Sequence, residues 1–182
     1  MEFVELKENE YEKYWENHPL KTFMSAPKIA KLREQTNWKS YFVGVKENKK
    51  VIAATMLLSH KRKFNVNEFY SPRGFLLDYQ NKELLDFFTN SVKEFVKSKK
   101  GYVLRIDPYV IYKQRDIDGN IVEDGENNEK VVENLLNLGF HKIEVPNKEQ
   151  VGWMFSLDLE GKTEEQILKE MKPNTRNQIR KT

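Results

Sequence analysis

The sequence predicts a mixed α/β fold with antiparallel strand pairs and at least one parallel crossover. Three observations carry that expectation. Leu84, Leu85, Phe88, Val92, Phe95 and Val96 recur at three- and four-residue steps, which marks an amphipathic helix over 81–99. Gly101-Tyr-Val-Leu-Arg-Ile106 follows at once as a strand, so helix and strand form half of a βαβ-like crossover. Upstream, residues 41–45 and 51–58 read as two strands joined by the polar turn 46–50, a hairpin.

In chain order, Phe3-Val-Glu-Leu6 reads as a short edge strand. Asn9 then caps a helix to about residue 17, with Tyr11, Tyr14 and Trp15 on one face and Pro19 ending it. Pro27 suits the first turn of a second helix. There Ile29 and Leu32 are expected to face inward, Lys28, Lys31 and Arg33 outward, and Trp38 closes the segment. Residues 51–58 are apolar on both faces, which places that strand centrally in the sheet. Lys61-Arg-Lys63 is a basic connector, 67–70 a third strand, and Ser71-Pro-Arg-Gly74 its breaker.

Beyond the strand 101–106, residues 112–127 are the most polar stretch and read as a mobile insertion. A helix over 128–138 carries Val131, Val132, Leu135 and Leu138, with Gly139 as its C-cap. Residues 140–145 and 153–159 read as two further strands. Thr163-Glu-Glu-Gln166 has capping-box spacing, and Pro173 restarts a helix. The expected organisation is one main domain over 1–160 and a basic helical segment over 161–182.

Composition narrows the function classes. Hydrophobic residues make up 38% and charged residues 32%, which is globular with a heavily charged surface. No apolar run approaches the roughly 18 residues that span a bilayer, and Met1-Glu-Phe-Val-Glu5 has neither part of a secretory signal. There is no cysteine, which excludes disulfides, thiolate metal sites and a cysteine nucleophile. This fits a cytoplasmic protein. The net charge is only +3. Its distribution is uneven, because Lys172, Arg176, Arg180 and Lys181 cluster with no acidic residue among them. Such a tail suits phosphates or an anionic membrane surface, but is more often a solvated helix face.

Standard catalytic signatures are missing: no GxGxxG, no GxxxxGK[ST], no HExxH and no GxSxG. His18, His60 and His141 stand singly without metal-ligand spacing, so neither a metal nor a cofactor is expected. Four polar residues remain at breaks between apolar elements: Lys31, Arg73, Tyr102 and Asp107. Lysine and arginine suit phosphate or carboxylate recognition, arginine bidentately. Tyrosine offers a flat face and a hydroxyl. Asp107 stands where the strand 101–106 stops, and strand ends in open α/β sheets are where ligands sit. Each has a structural alternative: a solvated helix residue, a turn position, a sheet filler, and an Asp-Pro turn signal.

Resemblance adds to this reading. Tyr70-Ser-Pro-Arg-Gly-Phe-Leu-Leu-Asp78, the following helix and Tyr102-Val-Leu-Arg-Ile-Asp-Pro108 resemble the first domain of the Fem family. These are the FemA/FemB/FemX and MurM-like aminoacyltransferases of peptidoglycan cross-bridges. The segment from Phe23-Met-Ser25 to Trp38, Leu138-Gly-Phe140, Trp153-Met-Phe-Ser-Leu-Asp-Leu159, Thr163-Glu-Glu-Gln-Ile-Leu168 and Asn174-Thr-Arg-Asn-Gln-Ile179 match in the same order. The resemblance covers nearly the whole chain. It implies an acyl-CoA N-acyltransferase (GNAT)-like mixed sheet flanked by helices. It also implies transfer of an amino acid from aminoacyl-tRNA to the stem peptide of a precursor, lipid II or UDP-MurNAc-pentapeptide. Lys31 would clamp precursor phosphate or carboxylate, Tyr102 would pack on the muramyl-peptide, and Asp107 would act as base or binding group. Arg73 falls in the family's turn, although Phe75 stands where proline is common.

Aminoacyl transfer needs no metal and no covalent enzyme intermediate, because the ester is already activated. The basic tail would face tRNA phosphates or the inner leaflet, leaving the protein cytoplasmic or peripheral to that membrane. Fem enzymes carry two such domains, and this chain matches the first. Alone it is expected to bind precursor weakly and to transfer little. Two rivals stay open: an acetyl-CoA-dependent N-acetyltransferase, whose pyrophosphate loop is missing here, and a non-enzymatic RNA- or envelope-binding module.

Overall fold

The structure is a computed structural model that describes residues 1–144, 150–154, 156 and 159–181. They fall into two compact units, Met1–Glu144 and Val145–Thr182.

The first unit is built on five strands in spatial order β1-β2-β3-β4-β5. These are β1 (Glu2–Glu5), β2 (Trp38–Glu47), β3 (Lys50–Lys61), β4 (Asn67–Ser71) and β5 (Gly101–Ile106). The first three pairings are antiparallel and β4–β5 is parallel. This is the mixed α/β sheet with flanking helices expected from the sequence. Helices α1 (Glu8–Glu16) and α2 (Pro27–Glu34) lie between β1 and β2, and α3 (Lys82–Ser98) makes the crossover from β4 to β5. Helix α4 (Glu129–Asn137) follows β5.

The middle of strand β3, 51–58, is apolar on both faces except at Thr55. Ala53 and Leu57 belong to one core with α3 and α4, while Ala54, Met56 and Leu58 belong to another with α1 and α2. Side chains alternate across a strand, so helices on both faces call for apolar residues on both, with Thr55 the buried exception whose hydroxyl meets Ser71. Helix α3 buries Leu84, Leu85, Phe88, Thr89, Val92, Phe95 and Val96, one stripe of a 3.6-residue period. Its N-terminus is capped by Asn81, whose side chain accepts from Leu84 N–H at 3.1 Å. Fully buried Phe88 and Leu85 each contribute about 1.5–3 kcal/mol of transfer free energy.

Several expectations need correction. Leu32 is 56% exposed, because α2 is only two turns long and Pro27, Ile29 and Ala30 already fill its inner side. Trp38 opens β2 rather than closing the helix. Among the described residues β5 is a sheet edge, paired only with β4. Residues 140–144 form no strand; Phe140 instead fills the α3 core by packing, with Lys93 Nζ 5.1 Å over its ring. The expected strand at 153–159 and residue 145 lie partly outside the described residues. The polar stretch 112–127 folds back on itself through bridges Lys113–Asn127 and Arg115–Ile121.

The second unit holds α5 (Glu164–Glu170) and α6 (Pro173–Ile179). The capping box is present: Thr163 accepts from Gln166 N–H at 3.3 Å and donates its own N–H to Gln166 Oε1 at 2.8 Å. Lys172, Arg180 and Lys181 are exposed, and Arg176 is half-buried.

Candidate active site at the ends of the parallel strands

Strands β4 and β5 run parallel and end side by side, with Ser71 opposite Ile106. The residues just beyond these ends therefore meet. Ser71-Pro72-Arg73-Gly74 is a tight turn closed by Gly74 N–H to Ser71 O at 3.1 Å. Pro72 occupies its second position and Arg73 its third, with φ 59°, the pattern of a type II turn. Gly74 has φ 73°, and a Cβ there would lie 2.7 Å from Pro108 Cα and 2.8 Å from the Tyr79 hydroxyl. Only glycine permits so close an approach of turn and strand end.

Hydroxyls lock this turn from below. Ser71 Oγ donates to Gly74 O at 2.9 Å, and the Thr55 and Ser71 hydroxyls are 2.7 Å apart. Phe75 N–H donates to the buried Tyr79 hydroxyl at 2.8 Å. The chain then returns to the edge of β3, where Leu76 and Ala54 exchange both backbone hydrogen bonds.

Asp107 sits against the turn. Its Oδ1 accepts the Arg73 backbone N–H at 2.8 Å, and its Oδ2 is 3.8 Å from Arg73 Nη1. Both side chains are largely withdrawn from solvent, Arg73 being 15% and Asp107 19% exposed. Burial pushes the Asp107 carboxyl above its ordinary value, opposed by the Arg73 N–H, the Tyr70 hydroxyl and the Arg73 charge. The Arg73 guanidinium also lies 5.5 Å from the centre of the Tyr109 ring, and Tyr109 N–H donates to Arg73 O at 3.2 Å. The result is a half-buried carboxylate and guanidinium held in fixed register, a pair able to bind an anion or to take a proton from an amine.

Of the four residues singled out from sequence, the structure brings Arg73 and Asp107 together. Tyr102 lies at the opposite end of β5, five residues or about 16 Å along the strand. It is 58% exposed, with its hydroxyl 3.5 Å from Glu68 Oε2. Lys31 stands on the outer side of α2, where its Nζ pairs with Glu8 of α1 at 2.6 Å. Sequence reasoning missed Tyr70, Tyr109, Thr55 and Ser71. Tyr70 and Tyr109 were readable only as neighbours of the two breaks, three residues before Arg73 and two after Asp107. Thr55 carried no local signal at all.

A sheet covered by helices on both faces, with its polar pair where parallel strands end, defines the class: an open α/β domain with a strand-end site. Over residues 6–182 the sequence matches the family model described as the FemAB family, and the chain belongs to that family. It is 32% identical over 177 residues to the protein named aminoacyltransferase FemA from Staphylococcus aureus strain MW2. That alignment covers 94% of this chain and 42% of FemA, so the chain spans less than half the length of that relative. The crystal structure of FemX aligns with a TM-score of 0.63 and 28% identity, over 76% of this chain and 32% of FemX. A glucosamine-6-phosphate N-acetyltransferase from Arabidopsis thaliana aligns with a TM-score of 0.49 and 12% identity, over 85% of this chain and 98% of its own. No described helix is long and apolar enough to cross a membrane.

Proposed function

We propose that this chain is the acceptor-side domain of an aminoacyltransferase that builds peptidoglycan interpeptide bridges. The amine of a precursor stem peptide attacks the ester carbonyl of aminoacyl-tRNA. A C–N bond forms, the C–O bond to the tRNA ribose breaks, the amine loses a proton and the ribose oxygen gains one. The precursor is lipid II or UDP-MurNAc-pentapeptide, and the reaction is cytoplasmic, at or near the inner face of the membrane. The observation that carries this reading is the 32% identity to aminoacyltransferase FemA across 94% of the chain.

The strand-end pair supports it chemically. In this reading Arg73 holds a phosphate or carboxylate of the precursor. Asp107, with its raised pKa, orients that guanidinium and accepts hydrogen bonds or a proton from the incoming amine. Lys31 and Tyr102 are further precursor contacts in this proposal. Because the fold keeps them apart from the pair, they would meet other parts of a long ligand. FemA is more than twice the matched length, and we assign donor binding to a second Fem domain.

The test is transfer of labelled amino acid from charged tRNA to each precursor by the polypeptide that contains this chain. Labelled stem peptide supports the proposal. Turnover of acetyl-CoA without aminoacyl transfer, or RNA binding with neither reaction, would overturn it. Calorimetric titration with UDP-MurNAc-pentapeptide then locates the acceptor side: Arg73→Ala, Asp107→Ala and Lys31→Ala are each expected to weaken binding.

A further inference from the structure

At the opposite end of the sheet from Arg73 and Asp107, where the transferase reading uses Tyr102 alone, the β3–β4 loop forms a second surface to which that reading assigns no role. Between β3 and β4 the chain turns through residues 62–66, closed by Arg62 N–H to Val66 O at 2.8 Å. Phe64 stands at the tip, 95% exposed, with φ 61°. A bulky residue in the left-handed region costs backbone energy, and this one gains no packing in return. Its flanks are basic: Lys61, Arg62 and Lys63 are all exposed.

Register adds another cation. Lys61 lies opposite Asn67, whose N–H donates to Lys100 O at 2.9 Å and whose Nδ2 donates to Lys99 O at 2.7 Å. The turn before β5 therefore sits beside the loop and presents exposed Lys100. Arg62 is engaged with Glu68, and Lys99 with Glu5. Among the described residues Lys61, Lys63 and Lys100 form no ion pair. The loop itself is anchored, because Glu68 at its base is 7% exposed and held by Arg62.

We propose that the β3–β4 loop docks the protein on an anionic phospholipid bilayer, with Phe64 entering the headgroup region and Lys61, Lys63 and Lys100 meeting lipid phosphates. An aromatic ring flanked by long cationic side chains suits that boundary, since the ring sits among apolar carbons while the ammonium groups stay at the phosphates. The loop geometry favours a bilayer over single-stranded RNA. Residues 61–65 are all exposed on a closed, protruding turn, whereas base stacking uses aromatics laid along a charged groove. This inference goes beyond the transferase reading and does not depend on it.

The experiment is flotation of the protein with vesicles of phosphatidylcholine alone and of phosphatidylcholine mixed with phosphatidylglycerol. Capture is expected only by the anionic vesicles and is expected to fall as salt rises. Each of Lys61→Ser, Lys63→Ser and Lys100→Ser is expected to weaken capture about fivefold. Phe64→Ser is expected to weaken it by at least as much without lowering the melting temperature. Substitution of Arg176, Arg180 and Lys181 by serine is expected to leave most of the capture in place. Equal capture by both vesicles would overturn the proposal. So would capture that survives Phe64→Ser and is lost with the tail substitutions. Binding of tRNA that requires Phe64, without vesicle capture, would reassign the surface to RNA and equally overturn it.

Discussion

Arg73 donates its backbone N–H to Asp107 Oδ1 at 2.8 Å, across 34 positions of sequence. That bond ties the turn after β4 to the residue that ends β5. It also brings the Arg73 guanidinium to 3.8 Å from the second carboxylate oxygen. The site is thus made by the parallel pairing of two strands, and neither break in the chain forms it alone.

The pair carries a pH signature. Burial raises the Asp107 pKa in the folded state above the 3.8 of an ordinary aspartate. Between those two values the native state holds more protons than the unfolded chain. The contribution of Asp107 to stability is therefore fully present below about pH 4 and declines as pH rises through the folded value. An Asp107→Asn protein keeps an acceptor for the Arg73 N–H and cannot ionise. Relative to it, the wild type is expected to lose stability from pH 4 upward, measured by urea unfolding across that range. A wild type that gains on the variant over the same interval would contradict the raised value.

Arg73→Gly separates the turn from the guanidinium. Glycine keeps the N–H that Asp107 accepts and adopts φ 59° without strain. Stability is expected to stay within about 1 kcal/mol of wild type, while binding of UDP-MurNAc-pentapeptide falls at least tenfold. A binding constant unchanged by this substitution would remove Arg73 from the acceptor site.

Gly74→Ala tests the close approach of the two breaks. The new methyl would meet the Pro108 backbone and the Tyr79 hydroxyl at under 3 Å, on a residue at φ 73°. The expected loss is about 2–4 kcal/mol, read from the denaturation midpoint at constant m-value. A loss below about 1 kcal/mol would mean that the turn relaxes freely.

Alkaline stability reports on three withdrawn phenols, Tyr11 and Tyr14 on the other face of the sheet and Tyr79 beside the turn. Tyr14 donates to Ile52 O at 2.8 Å, and burial pushes its phenol up to about 12. Buried Tyr11, which donates to Ser25 O at 2.8 Å, and Tyr79 are pushed up further, again by burial. Each phenol must lose a proton more readily unfolded than folded, so stability is expected to fall as pH rises above about 10. Tyr14→Phe is expected to cost about 1 kcal/mol at neutral pH through its lost hydrogen bond, and to shallow the alkaline decline. Parallel curves for variant and wild type would show that Tyr14 does not titrate with unfolding.

Much of this protein was legible before any coordinates. The stripe Leu84–Val96 could only be a helix with one buried face, because its apolar residues recur at 3.6 and nothing else satisfies them. The doubly apolar strand 51–58 had to lie between two covered faces, and it does. Arg73 and Asp107 were visible as polar residues at breaks. Local pattern also misled: Phe140 and its neighbours carry strand-like residues, yet among the described residues 140–144 pair with no strand.

What the sequence by itself determined was the class of fold, its helices and the positions at which chemistry is affordable. Only the tertiary structure decided which of those positions meet. The parallel register of β4 and β5 set Ser71 against Ile106, joining Arg73 to Asp107 and sending Tyr102 to the far end of the same strand. Pairing in a sheet acts between residues distant in sequence, through backbone groups common to every residue. Side-chain periodicity therefore records which face is buried, and leaves the neighbouring strand end unmarked.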